Sequence, residues 1–250
     1  MASSCSNCNK REEDADTPLK VCAVCKTTKY CSTQCQKDHW TAHKATCTKE
    51  GCLKLIAAIE NNDTDTVVNL SKTKRVLNGK VDYTPPANDA FPNPHMMGKW
   101  TALHQCVRLK RKEMMKILID NGANLEIKDV DGETPTFVAS SSYSPEIIKL
   151  LLDGGANPNA MDPEGWTCVM ISARSGDYET TKALLGAGAD LNLGRDMFGR
   201  TAFDISAGQA NGTMGLRMSQ GETHEEALAK HRRTAALLSE HSGQENQQVR

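Results

Sequence analysis

The sequence predicts a small metal-stabilised finger followed by an all-α repeat solenoid. Two observations support this fold class. The first 47 positions contain seven cysteines and two histidines, and the cysteines together with His43 form four close pairs of potential metal ligands. Beyond position 100, matching segments recur with a period of about 33 residues, which is typical of stacked helical repeats. The chain is therefore expected to consist of two modules that are stabilised in different ways.

The N-terminal module has enough ligands for two zinc ions. Its candidate ligands are Cys5, Cys8, Cys22, Cys25, Cys31, Cys35, His43 and Cys47. Two closed tetrahedral sites would use all eight, and closed sites are typical of structural zinc. The alternative is a disulfide framework, which suits oxidising compartments. Because the start of the chain, Met1 to Lys10, lacks the apolar core of a secretory signal, metal binding is the favoured interpretation.

The residues between these ligands resemble the MYND zinc finger. The matching segment runs from Cys22 through Tyr30 and Gln36 to Trp40 and Cys47, and the match covers all eight ligand positions. The resemblance implies a cross-brace of two structural zinc ions. One ion would be bound by Cys5, Cys8, Cys31 and Cys35, and the other by Cys22, Cys25, His43 and Cys47. Spacing alone would also permit consecutive pairing.

The same resemblance implies a peptide-binding surface. MYND fingers, as a family, bind short proline-containing peptides, often of the Pro-x-Leu-x-Pro type. An extended peptide would lie beside a short strand near Lys29 to Ser32, and the helix with Gln36 and Trp40 would form the groove wall. The implied peptide-binding residues are Tyr30, Ser32, Gln36 and Trp40. Trp40 would stack on a proline ring, form the core of so small a domain, or do both.

The rest of the chain is built from repeats. Thr101, Thr134, Thr167 and Thr201 recur at nearly equal intervals along the sequence. Segments such as Thr101–His104 and Leu150–Asn157 resemble ankyrin repeats. This resemblance implies a turn, an inner helix, an outer helix and a hairpin loop in each repeat. In three repeats a leucine stands at the same distance after the turn threonine, at Leu118, Leu151 and Leu184.

These patterns set the predicted domain boundaries. The finger spans 1–50, the ankyrin-repeat array 51–241 and a disordered tail 242–250. Within the array we expect a degenerate first repeat at 51–79, an insertion at 80–99, regular repeats at 100–193 and a last repeat at 194–241. The proline-rich first insertion disfavours regular structure. The last repeat contains about 19 extra residues, roughly Ala207 to Gly221, which we expect to form a mobile loop.

Several residues predict where individual helices begin or end. Ser144 and Asp177 are expected to be helix N-caps, and Thr223 is expected to form a capping box with Glu226. Gly154, Gly155 and Gly188 are expected to supply the left-handed backbone that ends an outer helix.

Composition limits the classes of partner. The net charge is −1, and neither module has the basic patch that is typical of nucleic-acid binding. No apolar run is long enough to span a membrane. We therefore expect no nucleic-acid or membrane partner, and a monomer located in the cytoplasm, the nucleus or both.

The sequence favours a binding protein over an enzyme. His104 and Cys106 would be the only imaginable catalytic pair, but a histidine at this ankyrin position is typically structural. The expected function is a zinc-dependent adaptor, in which the finger binds a proline-containing peptide and the array binds a second protein. One alternative is a ubiquitin-ligase-like or other enzyme-recruiting subunit, since cross-braced zinc modules also recruit conjugating enzymes. Another is a finger that only caps the array.

Two kinds of residue are candidates for binding the second protein. Trp100 and Trp166 occupy the same position in two repeats, and exposed tryptophans commonly anchor interfaces. The expected hairpin tips are Lys128–Asp131, Ala160–Glu164 and Arg195–Phe198, which would lie along the edge of a concave face.

Overall fold

The computed structural model describes residues 20–21, 29–30, 35, 49–83, 98–215 and 221–248. The N-terminal strands are β1 (Lys20–Val21) and β2 (Lys29–Tyr30), and the next helix, α1, spans 49–60. The later elements are α2 (Thr64–Ser71), α3 (Lys74–Leu77), β3 (Val81–Tyr83), β4 (Gly98–Trp100), α4 (Ala102–Arg108), α5 (Lys112–Asp120), α6 (Pro135–Ser140), α7 (Pro145–Asp153), α8 (Cys168–Ser175), α9 (Tyr178–Gly186), α10 (Ala202–Ala210) and α11 (His224–Gln248).

From residue 49 onward the helices form two layers. The inner layer contains α1, α4, α6, α8 and α10, and the outer layer contains α2, α5, α7, α9 and α11. Neighbouring helices from α4 to α10 contact one another within the inner layer, as do neighbouring helices from α2 to α11 within the outer layer. Stacked helix pairs of this kind confirm the predicted all-α solenoid.

The recurring threonines begin the inner helices. Each is the N-cap of α4, α6, α8 or α10, and its hydroxyl oxygen accepts a hydrogen bond from the backbone N–H three residues later. The four donors are the N–H groups of His104, Phe137, Met170 and Asp204, at 3.4, 3.3, 3.3 and 3.2 Å. Without this partner a first-turn N–H has no acceptor in the helix. The period of the sequence therefore marks the start of each inner helix.

One apolar core runs through the stack. Leu118, Leu151 and Leu184, which occupy the same position in three successive repeats, are each 0% exposed. Leu55 and Ile59 of α1 belong to the same core. The helix that follows the finger is thus packed into the array.

Side-chain hydrogen bonds connect neighbouring repeats at the loops that follow the outer helices. Asn78 Oδ1 accepts from the N–H of Asn124, and Glu126 Oε1 accepts from the N–H of Asn157, at 2.7 and 2.9 Å. Asp190 N–H donates to Asn159 Oδ1 at 2.8 Å. The three donors occupy the same position in successive repeats, so the sequence period also sets the spacing of the contacts between repeats.

The first insertion is more ordered at its ends than predicted. β3 and β4 form an antiparallel pair in which Val81 lies opposite Trp100 and Tyr83 opposite Gly98. In the sequence, the prolines of the insertion fall between these two strands. Residues 84–97, the remainder of the insertion, lie outside the described residues.

The C-terminal part also departs from the predictions. α10 continues to Ala210, and Met214 beyond it packs on the core, so the expected mobile loop is replaced by ordered chain up to residue 215. α11 continues to Gln248, so residues 242–248 are helical where disorder was expected. Glutamate and glutamine are good helix formers, and that extends the helix.

Two of the predicted helix-end features need correction. Ser144 is the N-cap of α7, but its hydroxyl donates to the carbonyl of Ser142 at 3.1 Å and makes no capping bond. Gly154 has an ordinary φ of −77°, whereas Gly155 and Gly188 are left-handed, at +90° and +85°. Asp177 does cap α9.

The capping box before α11 is present as predicted. Thr223 N–H donates to Glu226 Oε2, and Glu226 N–H donates to Thr223 Oγ1, at 2.9 and 3.3 Å.

Candidate functional site

The described part of the finger is a short antiparallel ribbon. β2 pairs with β1, with Tyr30 opposite Lys20, which places a strand at the N-terminal end of the segment predicted to receive a peptide. The side chain of Tyr30 is only 1% exposed. The ring therefore has almost no surface with which to contact a peptide, contrary to the prediction for Tyr30. Ser32, Gln36 and Trp40 lie outside the described residues.

The zinc ligands are represented in the structure by Cys35 alone. It is half-buried and lies in helical backbone. The other predicted ligands, Cys5, Cys8, Cys22, Cys25, Cys31, His43 and Cys47, lie outside the described residues. The donor set of seven thiols and one imidazole suits zinc, which favours thiolate and imidazole ligands. Within the described residues, no cluster of three His, Cys, Asp or Glu side chains could hold a metal, so the array offers no competing site there.

The finger and the array are joined with little intervening chain. α1 begins at residue 49, two residues after the last predicted ligand, Cys47. Cys52 and Ile56 on this helix are 2% and 1% exposed. The Cys52 thiol donates to the carbonyl of Val76 at 3.4 Å, and burial raises its pKa to about 11. Cys52 is therefore a protonated packing residue that holds α1 against α3.

His104 and Cys106 have structural environments. The Nε2 of His104 lies 3.3 Å from the carbonyl oxygen of Glu133, which can only accept, so Nε2 carries the proton. Its Nδ1 then accepts from the Thr101 hydroxyl at 2.8 Å. Burial lowers the pKa of His104 and strongly raises that of Cys106. The imidazole is neutral and makes a hydrogen bond at each ring nitrogen, and the thiol is protonated. Both observations support the structural interpretation of this pair.

A polar network crosses from the first repeat to the second. Glu60 at the end of α1 accepts from Gln105 Nε2 at 2.8 Å and lies 3.6 Å from the Arg108 guanidinium. The guanidinium of Arg111 donates to the backbone carbonyl of Glu60 at 3.2 Å. These contacts fix the degenerate first repeat, and with it the start of the array, on the second repeat.

The two candidate tryptophans differ in exposure. Trp100 is 5% exposed, and its ring meets His104 edge-on with centroids 6.1 Å apart. The structure therefore gives it a packing role, because it retains almost no surface for a partner. Trp166 is half-buried, packs on the core and carries the Arg174 guanidinium 4.8 Å from its ring centroid. Trp166 keeps some exposed surface beside a positive charge.

The expected hairpin tips lie where the sequence placed them. Asp129, Asp162 and Asp196 each begin a tight turn closed by a backbone hydrogen bond to the residue four positions on, at 2.9, 3.0 and 3.2 Å. In each turn the aspartate Oδ1 accepts from the backbone N–H groups two and four residues later. Three tips with one geometry therefore stand in register along the array.

The large apolar side chains that the structure describes as exposed concentrate at the last repeat. Met197 is 85% exposed, Phe198 72% and Phe203 39%. Val130 and Tyr143 are the others, at 48% and 42%. Phe203 was missed by the sequence reasoning. Its position, two residues after Thr201, corresponds to that of Leu103, so the sequence pattern predicts a core residue and gives no sign of its exposure.

The outer face carries a groove between α7 and α9. Its volume is about 750 Å³, and its lining includes Leu152, Ala183, Lys149 and Glu179. A second hollow of about 500 Å³ lies beside α11, where Tyr143 and Tyr178 line the wall. There the Arg233 guanidinium lies 3.7 Å from the centroid of Tyr178. Both hollows have mixed charge, and the second is partly filled by side chains of the protein's own last helix.

A membrane-spanning segment is not found among the described residues: none of their helices is both long and apolar enough to cross a bilayer.

Comparison with known families agrees with this architecture. The family model for ankyrin repeats matches three times, at residues 55–162, 103–195 and 137–213. The model for the MYND finger matches residues 5–47, a segment that begins and ends at predicted zinc ligands. MYND fingers bind zinc, and both kinds of domain are generally protein-interaction modules.

Two curated proteins share parts of the sequence. Deformed epidermal autoregulatory factor 1 of Drosophila melanogaster is 40% identical over 48 residues, which cover 19% of this chain and 7% of that protein. Ankyrin repeat-containing protein P1E11.10 of Schizosaccharomyces pombe is 34% identical over 62 residues, which cover 24% of this chain and 30% of that protein. The matched segments thus span less than a third of either relative.

Proposed function

We propose that this chain, which belongs to the ankyrin-repeat proteins and carries a MYND finger before its repeats, is a zinc-dependent adaptor for two protein partners. The finger binds a short proline-containing peptide, and the array binds a second protein. The observation that carries the proposal is the direct junction of two interaction modules. α1 starts at residue 49, two residues after the finger's last predicted ligand, Cys47. Its Leu55 and Ile59 are fully buried in the array core, so the array begins within a few residues of the finger.

Two zinc ions complete the proposed finger. Cys5, Cys8, Cys31 and Cys35 hold one ion, and Cys22, Cys25, His43 and Cys47 hold the other. Their role is structural, since four protein ligands leave no open position on either ion. These thiolates need a reducing compartment, so we place the protein in the cytoplasm, the nucleus or both.

The peptide site is proposed on the β2 side of the finger. β2 is only two residues long, and its residues Lys29 and Tyr30 pair with β1. An extended peptide added to such a strand gains backbone hydrogen bonds, while side chains on the neighbouring wall supply specificity. Trp40 and Gln36 are proposed for that wall, with Ser32 beside the strand. The buried ring of Tyr30 supports the strand from within.

We propose a binding role without catalysis. The thiols of Cys52 and Cys168 have pKa values raised by burial to about 11 and about 12, which leaves them protonated and poorly nucleophilic at neutral pH. A ubiquitin-discharge assay with a charged conjugating enzyme checks this part of the proposal. No acceleration by the zinc-loaded chain is expected, and clear acceleration would replace the adaptor with an enzyme-recruiting subunit.

Peptide binding is tested by titrating the zinc-loaded full chain with a library of proline-containing peptides. The matched control is Trp40→Ala, accepted only if it still holds two zinc ions. We expect a Pro-x-Leu-x-Pro-like peptide to bind and the control to lose that binding by at least tenfold. If the zinc-loaded chain binds none of the peptides, the peptide-binding proposal is contradicted, and the finger is better explained as a structural cap on the array.

A further inference from the structure

The last repeat ends the array with an uncovered apolar surface. Along the tips, a methyl group added at Gly132 would meet Pro163 of the next tip, and one added at Gly165 would meet the carbonyl of Arg195. At Gly199, the equivalent glycine of the last tip, nothing lies within 4 Å. Each earlier tip is thus covered by the tip that follows it, and the final one is open.

The inner helix of the same repeat is open as well. The residue two positions after the turn threonine is buried in the preceding repeats, with Leu103 1%, Thr136 0% and Val169 1% exposed. The equivalent Phe203 on α10 is 39% exposed. The inner helices α4, α6 and α8 each have a following inner helix packed against them, and α10 has none among the described residues. The difference in exposure therefore follows from the lack, among the described residues, of an inner helix packed after α10.

The tip of the last repeat also carries an apolar residue where the earlier tips carry an acidic one. The residue two positions after the tip aspartate is acidic in the earlier repeats, Asp131 and Glu164, but is Phe198 in the last. Met197 beside it is 85% exposed. A terminal repeat normally turns a polar face to solvent, whereas this one presents two phenylalanines and a methionine. We call Met197, Phe198 and Phe203 together the end patch.

The charges beside the end patch are already satisfied. Arg200 donates through Nε to Asp196 Oδ2 at 2.7 Å. Asp204 accepts from the N–H and the hydroxyl of Thr201, both at 2.8 Å. The bonds from Arg200 and from backbone N–H groups outweigh the desolvation of Asp196 and lower its pKa, so this ion pair persists at neutral pH. The Arg200 guanidinium also lies 4.7 Å from the centroid of the Phe198 ring, so this cation at the patch already has partners within the protein.

The size of the end patch limits what can bind it. A large side chain such as phenylalanine has a surface of about 150–250 Å². The exposed fractions of Met197, Phe198 and Phe203 then give the patch an exposed apolar surface of roughly 400 Å². A stable interface between two copies needs about 800 Å² on each side. The patch provides about half of that area, which suits one helix with a few apolar anchors better than a second copy of the chain.

We infer that the end patch docks an amphipathic helix of a partner protein, which lies along α10 in the place of a next inner helix. Its apolar face covers Phe203 and Phe198, and its central contacts are uncharged. This inference rests on the adaptor proposal, because it assigns a surface and a partner shape to the array's share of that function. It does not depend on what the finger binds.

The test is selection of amphipathic helices from a phage-displayed library against the zinc-loaded full chain. Binding of the selected helices is then measured by fluorescence anisotropy with wild-type chain and with the Phe198→Ser/Phe203→Ser double variant. Val130→Ser is the matched control, since Val130 holds the tip position of Met197 in an interior repeat. We expect the double variant to bind at least tenfold more weakly and the control to stay within twofold of wild type.

The single variant Phe198→Ser, in an exposed loop, replaces the double variant if circular dichroism shows that the latter has lost helix. Equal binding by the variants and wild type, or no selected helix at all, would overturn the inference. A wild-type dimer in sedimentation equilibrium that becomes a monomer in Phe203→Ser would also overturn the inference. It would identify a second copy of the chain as the occupant of the end patch. Binding of a proline-containing peptide by the same variants is measured separately and reports on the finger alone. Failure of the end-patch inference can therefore be distinguished from failure of the adaptor proposal.

Discussion

The finger and the array obtain their stability from different sources. In the described part of the finger, the regular structure is a ribbon of two-residue strands, whereas the array has a continuous core of fully buried leucines, isoleucines and methionines. A module this short, with eight predicted zinc ligands, is expected to depend on its metal, because zinc binding supplies the folding free energy of such domains. One chain therefore contains a metal-dependent part and a self-sufficient part, and the two should fail independently.

The largest expected effect comes from removing a zinc ligand. Cys22→Ser should release one zinc ion and unfold the finger, because structural zinc in small domains contributes about 10 kcal/mol or more. Among the described residues the array core begins at Leu55, so the helices of the array should remain. Zinc content by mass spectrometry and helicity by circular dichroism check the two halves of this statement.

The control for this prediction is Cys168→Ser, which alters a buried thiol outside the ligand set. It should keep both zinc ions. Collapse of the helical signal in Cys22→Ser, on the scale of complete unfolding, would show that the array depends on the metal and would remove the contrast between the modules.

The second prediction perturbs the array and spares the finger. Leu151→Ala should lower the free energy of unfolding of the array by about 3 kcal/mol, since it leaves a cavity at a 0% exposed position. Zinc content should not change. The half-buried neighbour Leu152 provides the control, and Leu152→Ala should cost about 1 kcal/mol. Urea unfolding followed by circular dichroism measures both, and equal losses would contradict the assigned core.

The third prediction tests the role of the turn threonines. Thr167→Ala removes the hydroxyl that accepts from Met170 N–H at 3.3 Å, and loss of an N-cap typically costs about 1 kcal/mol. Thr167→Ser, which retains the acceptor, should recover most of that amount. Thermal unfolding measures the difference, and an unchanged midpoint in Thr167→Ala would argue that the threonine period reflects something other than helix capping.

The smallest effect concerns pH. Burial, together with repulsion from Asp129, Asp131 and Asp162, raises the pKa of Glu133 from 4.5 to about 7. Between these values the unfolded chain releases the proton first, so the free energy of unfolding of the array should fall as pH rises from about 4.5 to 7. The partly exposed carboxyl limits this loss to about 1 kcal/mol.

Glu133→Gln should flatten that part of the stability profile, and Glu164→Gln, an exposed acid on the neighbouring tip, serves as its control. Urea midpoints measured across this pH range check the prediction. A wild-type profile that rises with pH through the range, unaltered by Glu133→Gln, would contradict the assigned environment.

The sequence predicted the features that depend on local spacing. The ankyrin period and the Thr223–Glu226 capping box follow from residues close together in the sequence, so the pattern was sufficient to predict them. The spacing of the turn threonines was also evident in the sequence, but their role as N-caps came from the structure. Trp100 could not be assigned this way. Its burial depends on its packing against His104 and on β4, which pairs with β3 across the insertion.

Phe203 of the end patch was missed for a related reason. Phe203 is an apolar residue at a core position, and nothing in its own repeat distinguishes it from Leu103 or Val169. Its exposure depends on whether another repeat packs against it, which a periodic pattern does not encode. In the finger, Tyr30 was assigned to a peptide surface from the resemblance to MYND fingers, but that resemblance does not determine whether its side chain is buried.

Hydrogen–deuterium exchange of the zinc-loaded full chain tests the adaptor account most directly. The exchange is measured with and without a saturating proline-containing peptide from the library. The account predicts slower exchange in the finger around β2 and residues 36–43, with the array from α4 to α11 unchanged. The finger would then be a peptide receptor beside an array left free for a second partner. Protection of the array without the finger, or no protection from any selected peptide, would contradict it.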